Sequence, residues 1–157
     1  MLEHSRHSDD SALGLVVSLR PRFADAIVQG QKNVEVRRTF SERWLGARAV
    51  LYATSPTRAV VGSALVTSIE RLSVADLWFR YGPRIGITRD ELLAYADERA
   101  SLFAIGLDRV RRLSMPLPLS AVRAHDPIAR PPRSYAAIEP GSAWASALGW
   151  PRSLWAG

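Results

Sequence analysis

Cysteine is absent from this sequence of 157 residues, which excludes disulfide bonds, thiol catalysis and thiolate metal sites. Histidine is scarce: His4 and His7 lie in a polar N-terminal stretch, and His125 lies in a proline-rich segment. This distribution is a poor basis for a native metal site. No apolar run approaches the roughly 18 residues of a membrane-spanning helix. Residues 1–12 lack the apolar middle of a signal peptide, so we expect a cytoplasmic protein with no membrane span.

Lysine is nearly absent as well, because Lys32 is the single lysine among 21 lysine and arginine residues. The formal net charge of +6 and the pI of about 10.7 favour a phosphate-bearing partner such as nucleic acid. A general bias toward arginine is the alternative explanation of this charge. Under such a bias, a lysine that remains is expected where a compact ammonium group is required, although chance survival is the alternative.

The hydrophobic content of 47% and the chain length suit one domain with one core. We place this domain at residues 13–149, between a flexible N-terminal tail at residues 1–12 and a C-terminal tail at residues 150–157. Dense apolar runs or alternating apolar residues predict five strands, at residues 13–19, 33–39, 47–54, 58–69 and 101–113. Gly62 within the fourth strand indicates a bulge or a bend. The segment 115–118 is broken by proline and indicates an edge or a loop.

Helix signals lie between these strands. Pro21 opens a short helix that Gly30 ends. Ser73 has the features of an N-cap, and Thr88 with Glu91 forms a predicted capping box. A helical turn is expected at residues 41–45, a loop or arm at 125–133 and a final helix at 142–148. Strands that dominate, with helices inserted between them, favour an α+β fold built on a small mixed β-barrel of about five to six strands, with helices at its openings.

Three sequence blocks stand out in order: SLRP at 18–21, GQKNVEVRR at 30–38 and YATSPTRAVVG at 52–62. Together they resemble the ASCH domain of the PUA-like superfamily, whose pattern Gly-x-Lys-x-x-Glu-x-Arg is filled here by Gly30, Lys32, Glu35 and Arg37. The resemblance covers roughly residues 13–113. It implies a PUA-like β-barrel with a cleft beside the first helix, where family members are thought to bind RNA.

The residues themselves also predict a cleft. Lys32, Glu35, Arg37 and Arg20 are expected to converge as an ion network, in which the cations contact phosphate and Glu35 accepts from a base or holds a cation. Val34 and Val36 alternate with Glu35 and Arg37 and should face the core. The other candidate ligand-binding residues, for base stacking or for ribonuclease chemistry, are Tyr52, Ser55, Trp78 and Tyr81.

Less specific explanations exist for most of these residues. Glu35 and Arg37 are also explained by a structural ion pair on a barrel wall. Tyr52 on a strand is as consistent with core packing as with stacking, and Trp78 fits the apolar face of its helix. Ser55 is explained by the turn around Pro56.

The main prediction is therefore a module that binds single-stranded RNA or a modified nucleoside and needs no cofactor for binding. The resemblance also implies two enzymatic alternatives, because a few ASCH-domain proteins are enzymes. The first alternative is a metal-dependent ribonuclease that uses a divalent ion, with Lys32 and Tyr52 or Ser55, together with carboxylates, as candidates. The second alternative is an amidohydrolase that acts on acylated cytidine nucleosides, with Lys32 as the catalytic residue and Glu70 or Glu91 as the distant acid. In the small ASCH-domain proteins that hydrolyse an acylated cytidine nucleoside, a threonine stands where this chain has Glu35, so the nucleophile is missing here.

Overall fold

The structure is a computed structural model that describes residues 13–151. The predicted tail at residues 1–12 and residues 152–157 of the predicted C-terminal tail lie outside the described residues. The strands are β1 (Gly14–Leu19), β2 (Val34–Arg37), β3 (Arg48–Ala53), β4 (Ala59–Ser73), β5 (Ser101–Pro118) and β6 (Tyr135–Ala137). The α-helices are α1 (Pro21–Val28), α2 (Val74–Tyr81), α3 (Arg89–Ala96), α4 (Leu119–Arg123) and α5 (Ala143–Leu148). Short 3-10 turns occupy Glu42–Trp44 and Gly82–Arg84.

The six strands form one mixed sheet in the order β2-β5-β4-β3-β1-β6. Only the β1–β3 pair is parallel among the described strand pairs, and α1 lies in the connection between them. The sheet curls into a half-barrel, because residues from strands that are distant in the sheet order, such as Glu35 of β2 and Val17 of β1, line one small enclosed space. The fold is thus α+β, as expected from the sequence.

The core has three parts. The inner face of the sheet packs against α1 through residues such as Leu15, Ile27 and Leu51. The outer face of β1 and β3 is covered by α4 and α5, whose Val122 and Leu148 are buried there. The outer face of β2 and β5 is covered by α2 and α3. β1 and β3 are therefore buried on both faces, which explains their nearly continuous apolar sequences.

Local sequence signals account for several boundaries. The Ser73 hydroxyl accepts a hydrogen bond from the Asp76 amide at 3.1 Å, which caps α2. Thr88 and Glu91 form both bonds of the predicted capping box. The predicted irregularity at Gly62 is also present, because the β4–β5 register shifts there and an added Cβ would overlap the carbonyl oxygen of Arg111.

One segment differs from the expectation. Residues 115–118 are the end of β5 and pair with the start of β4, with Leu117 opposite Val60 and Pro118 opposite Ala59. Both prolines of this segment are tolerated, because Pro118 is the last residue of the strand and Pro116 lies where the β4–β5 register shifts, between Arg112 and Leu117. The short helix α4 and the short strand β6 were not predicted, since each has fewer than six residues and no clear periodicity. Within residues 13–151, no helix is long and apolar enough to cross a membrane.

Candidate functional site

The turn between α1 and β2 sets the direction of Lys32. Gly30 has a φ of +81°, a left-handed conformation that glycine adopts without strain. Its amide donates to the Ile27 carbonyl at 3.0 Å, and the Lys32 amide donates to the Ala26 carbonyl at 3.1 Å. The chain is thereby folded back on the end of α1, and the Lys32 side chain enters the protein and is only 3% exposed.

All three donors of the Lys32 ammonium have partners. Nζ donates to the carbonyl oxygens of Val34 at 2.8 Å and Ile85 at 2.5 Å, and it lies 3.1 Å from Oε1 of Glu35. Gly86 packs on the side chain, since a Cβ built there would lie 3.1 Å from Cδ of Lys32. The site is fitted to a thin alkyl chain that ends in a compact ammonium, which is the physical reason for a lysine here.

Glu35 joins two cations. Its Oε1 faces Lys32, and its Oε2 lies 2.7 Å from Nη2 of Arg37. Burial alone would raise the pKa of this carboxyl, but the charges and hydrogen bonds of Lys32 and Arg37 outweigh it and lower the pKa. We call Lys32, Glu35 and Arg37 the buried triad; with one anion and two cations it has a net positive charge.

Arg37 connects the two ends of the sheet. It lies on β2, yet its Nη2 donates to the Ser18 carbonyl of β1 at 2.9 Å and its Nη1 donates to the Ser134 hydroxyl at 2.8 Å. The Ser18 hydroxyl in turn donates to the Pro132 carbonyl at 2.6 Å. A guanidinium suits this position because it presents several donors in a fixed plane. The segment that precedes β6 is thus held against the triad.

A cleft of about 250 Å³ lies above the triad. Arginine and apolar side chains form its walls, and the triad lies at its base; the lining residues are Ser18, Leu19, Arg20, Arg22, Phe23, Lys32, Glu35, Val36, Arg37, Ile85, Ile87, Glu91 and Tyr95. Arg22 of α1 and Glu91 of α3, which both line this cleft, form an exposed ion pair of 2.6 Å. A cleft with a positively charged floor and apolar walls can accept a flat, partly polar group.

Comparisons with known proteins identify the family of this chain. Residues 12–123 match the family described as "Domain of unknown function (DUF365)". The crystal structure of ASCH from Zymomonas mobilis superimposes with a TM-score of 0.79 and 30% identity, covering 87% of this chain and 93% of that one. The chain belongs to the DUF365 family and is an ASCH-domain protein.

A curated protein of Zymomonas mobilis named "ASCH domain-containing ribonuclease" is 39% identical over 92 residues, which are 57% of this chain and 62% of that protein. The match therefore spans less than two thirds of this relative. The N-terminal domain of McrB from Staphylothermus marinus has a TM-score of 0.56 at 15% identity, covering 87% of this chain and 92% of that one. This second likeness shows the fold alone.

Four of the eight predicted site residues meet in the cleft of this ASCH domain. Arg20, Lys32, Glu35 and Arg37 all line it. The alternation in β2 is also as expected, because Val34 and Val36 pack under α2 and α3. However, the opposite face of β2 is the inside of the half-barrel, so Glu35 is also buried and only 9% exposed.

Tyr52 is not a stacking surface for a ligand, which corrects that expectation. Its side chain is 2% exposed, and its ring packs edge-on against Trp144 of α5 with centroids 5.7 Å apart. Burial raises the pKa of its phenol. The strand pattern alone could not reveal this, because the helices that cover β3 come almost 70 residues or more later in the chain. Ser55 lies exposed in the turn after β3 and does not line the cleft.

Trp78 and Tyr81 lie outside the cleft as well. Trp78 lines a neighbouring hollow on the other side of residues 86–87. The Tyr81 hydroxyl is bonded to Glu70, which raises the pKa of the tyrosine. Sequence analysis did not select Ser18, Phe23, Tyr95 and Ser134. Ser18 belongs to the SLRP block and could have been found; the others are brought to the site by tertiary structure.

The described residues offer no metal site of ordinary composition. Between residues 13 and 151 there is no group of three or more histidine, aspartate or glutamate side chains that could hold a metal ion. The two carboxylates of the cleft, Glu35 and Glu91, are each paired with arginine or lysine. We therefore derive no chemical step through a metal ion.

Proposed function

We propose that this protein binds single-stranded RNA, with one unpaired base in the cleft and the backbone along its rim. The observation that carries the proposal is the cleft itself. Its walls include the half-buried side chains of Phe23, Ile87 and Tyr95, and its floor is the buried triad, which has a net positive charge. Unpaired bases are typically held by apolar or aromatic walls and by hydrogen bonds to their edges. A duplex would keep its bases out of such a cleft.

The cations divide into two groups with different roles. Lys32 does not contact phosphate in this proposal, because its three donors are used within the protein. Arg20 and Arg22 are exposed at the cleft and are available to phosphate. The prediction that Lys32 grips the ligand is thus replaced by a supporting role, in which it keeps Glu35 ionised and in place.

Glu35 is the group that would contact the base. Each carboxylate oxygen has two lone-pair directions, and Oε1 uses one of them for Lys32. The other can accept a hydrogen bond from an exocyclic amino group. This favours cytosine or adenine over uracil, because uracil offers an acceptor oxygen at the equivalent position.

Binding of fluorescently labelled single-stranded RNA, measured by anisotropy at several salt concentrations, tests the proposal. We expect affinity that falls as salt rises, because phosphate contacts release counterions. We also expect weaker binding to a duplex of the same sequence and weaker binding to oligouridine than to oligocytidine. Equal affinity for duplex and single strand would contradict the proposal.

Ribonuclease activity is the second candidate, and the name of the Zymomonas mobilis relative favours it. Incubation of end-labelled single-stranded RNA with the protein, in parallel with EDTA and with added manganese, separates three outcomes: no cleavage, metal-independent cleavage and metal-dependent cleavage. The amidohydrolase alternative has less support, because the three donors of the Lys32 ammonium are used within the protein and Glu35 stands in place of the nucleophile. Incubation with acetylcytidine tests it directly.

A further inference from the structure

A second hollow of about 630 Å³ adjoins the cleft. Its lining consists of Trp78, Phe79, Gly82, Pro83, Gly86, Ile87, Thr88 and Glu91. Ile87 and Glu91 also line the cleft, so the two spaces adjoin across a shared wall. A ligand longer than one nucleotide would pass from one to the other.

One of the two aromatic side chains of this hollow is exposed to an unusual degree for a helix that packs on a sheet. Phe79 on α2 is 88% exposed, although burying a phenylalanine ring is strongly favourable. Trp78, next to it, is half-buried, and the backbone of Gly82 lies against its ring, since a Cβ there would be 3.2 Å from it. One aromatic ring is therefore held by the fold, and the other is open to solvent.

The wall between the two spaces carries a cation at a suitable place. Arg22 pairs with Glu91 through Nη2 at 2.6 Å, yet its side chain is 56% exposed. A guanidinium has five N–H donors, so Arg22 can contact a phosphate oxygen while it remains paired. A phosphate that links two nucleotides would cross at this position.

From this shared wall and the exposed Phe79 ring we infer that the second hollow binds the nucleotide next to the one in the cleft, with its base stacked on Phe79 and Trp78. The inference rests on the proposed RNA binding and adds a second, sequence-tolerant subsite, because every base has a stacking face. The ligand that fills both subsites is then a dinucleotide, and a mononucleotide fills the cleft alone.

The test compares a cytidine mononucleotide with a single-stranded tetranucleotide by isothermal titration calorimetry. Phe79→Ala should weaken tetranucleotide binding by about five- to a hundredfold, the usual effect of losing one stacking partner, and should leave mononucleotide binding unchanged. Phe79→Tyr should retain the affinity. Because Phe79 is so exposed, these substitutions should not disturb folding, which thermal unfolding will verify.

Leu93→Ala is the matched control, since Leu93 is another exposed apolar residue, 52% exposed on α3, and lines neither space. It should change neither affinity. If Phe79→Ala leaves tetranucleotide affinity intact while RNA still binds, the second subsite is wrong and the proposed function stands. If the wild-type protein binds no RNA, both proposals fail. If Phe79→Ala instead converts a dimer to a monomer in sedimentation with unchanged RNA affinity, the aromatic surface is a self-association site and the inference is overturned.

Discussion

The ammonium of Lys32 lies 3.1 Å from the carboxylate of Glu35, and their side chains are only 3% and 11% exposed. A charge pair so far from water is stable only when hydrogen bonds satisfy both partners. Here the Lys32 ammonium also donates hydrogen bonds to two backbone carbonyls, and the Glu35 carboxylate also accepts a hydrogen bond from Arg37. The motif thus forms the floor of the cleft, where Lys32 and Arg37 hold the Glu35 carboxylate in place.

Replacing Lys32 should destabilise the protein strongly. Lys32→Met keeps most of the side-chain volume but removes the charge, which leaves Glu35 and two carbonyls without their ammonium partner. Breaking a buried ion pair in this way typically costs about 3–5 kcal/mol of unfolding free energy. Urea unfolding, followed by circular dichroism, measures the loss.

Two further variants make the Lys32 test specific. Lys32→Arg keeps the charge, but the larger guanidinium must fit beside Gly86, so we expect a loss of about 1–3 kcal/mol from overpacking. Arg22→Met breaks the exposed pair with Glu91 and should change stability little. Equal stability of Lys32→Met and Arg22→Met would contradict the structural role of Lys32.

The stability contributed by Glu35 should depend on pH. Its pKa in the folded protein is lower than its usual value of 4.5, because Lys32 and Arg37 outweigh the effect of burial. The ionised carboxylate therefore stabilises the fold fully above about pH 4.5, and this stabilisation is lost as the pH falls through the lower native pKa. Glu35→Gln lacks the titration, so the difference in unfolding free energy from wild type should be large near pH 7 and should shrink below about pH 4.5. Urea unfolding at a series of pH values measures it, and a difference that stays constant with pH would show that Glu35 is not the responsible group.

Arg37→Lys should loosen the segment before β6. A lysine cannot reach Glu35, the Ser18 carbonyl and the Ser134 hydroxyl together, because its donors radiate from one atom. We expect faster hydrogen exchange at the Ser18 amide, which donates to the Ser134 carbonyl at 2.9 Å. Arg38→Lys is the neighbouring control, since Arg38 contacts Tyr95 instead. Unchanged exchange in Arg37→Lys would mean that backbone pairing alone holds this segment.

Arg20→Gln should weaken RNA binding without affecting stability. Arg20 is exposed at the cleft, so its loss removes a phosphate contact and should reduce the slope of log affinity against log salt by about one. The control is Arg43→Gln, because Arg43 lies before β3, at the opposite end of the sheet from the cleft. Anisotropy titrations at three salt concentrations give both slopes. A steeper or unchanged slope for Arg20→Gln would place the phosphate path elsewhere.

Local sequence patterns predicted much of the architecture. The five predicted strands, the capping signals at Ser73 and Thr88 and the helix that Pro21 opens are all present. These features depend on neighbouring residues, so a single sequence carries them. The pairing partner of a strand, in contrast, lies far away in the sequence. The proline-broken pattern of residues 115–118 therefore predicts an edge or a loop, whereas pairing with the start of β4 makes these residues the end of β5.

The candidate site divides in the same way. The sequence by itself determined the turn at Gly30, the alternation of β2 and the position of the single lysine between Gln31 and Asn33. Spacing and backbone conformation are local properties of the chain. Only the tertiary structure decided that all three donors of the Lys32 ammonium have partners within the protein. It also decided that α5 covers Tyr52 and that Arg37 reaches across to Ser134. The physical reason is that burial and hydrogen-bond partners come from elements far apart in the chain, which meet only when the sheet curls.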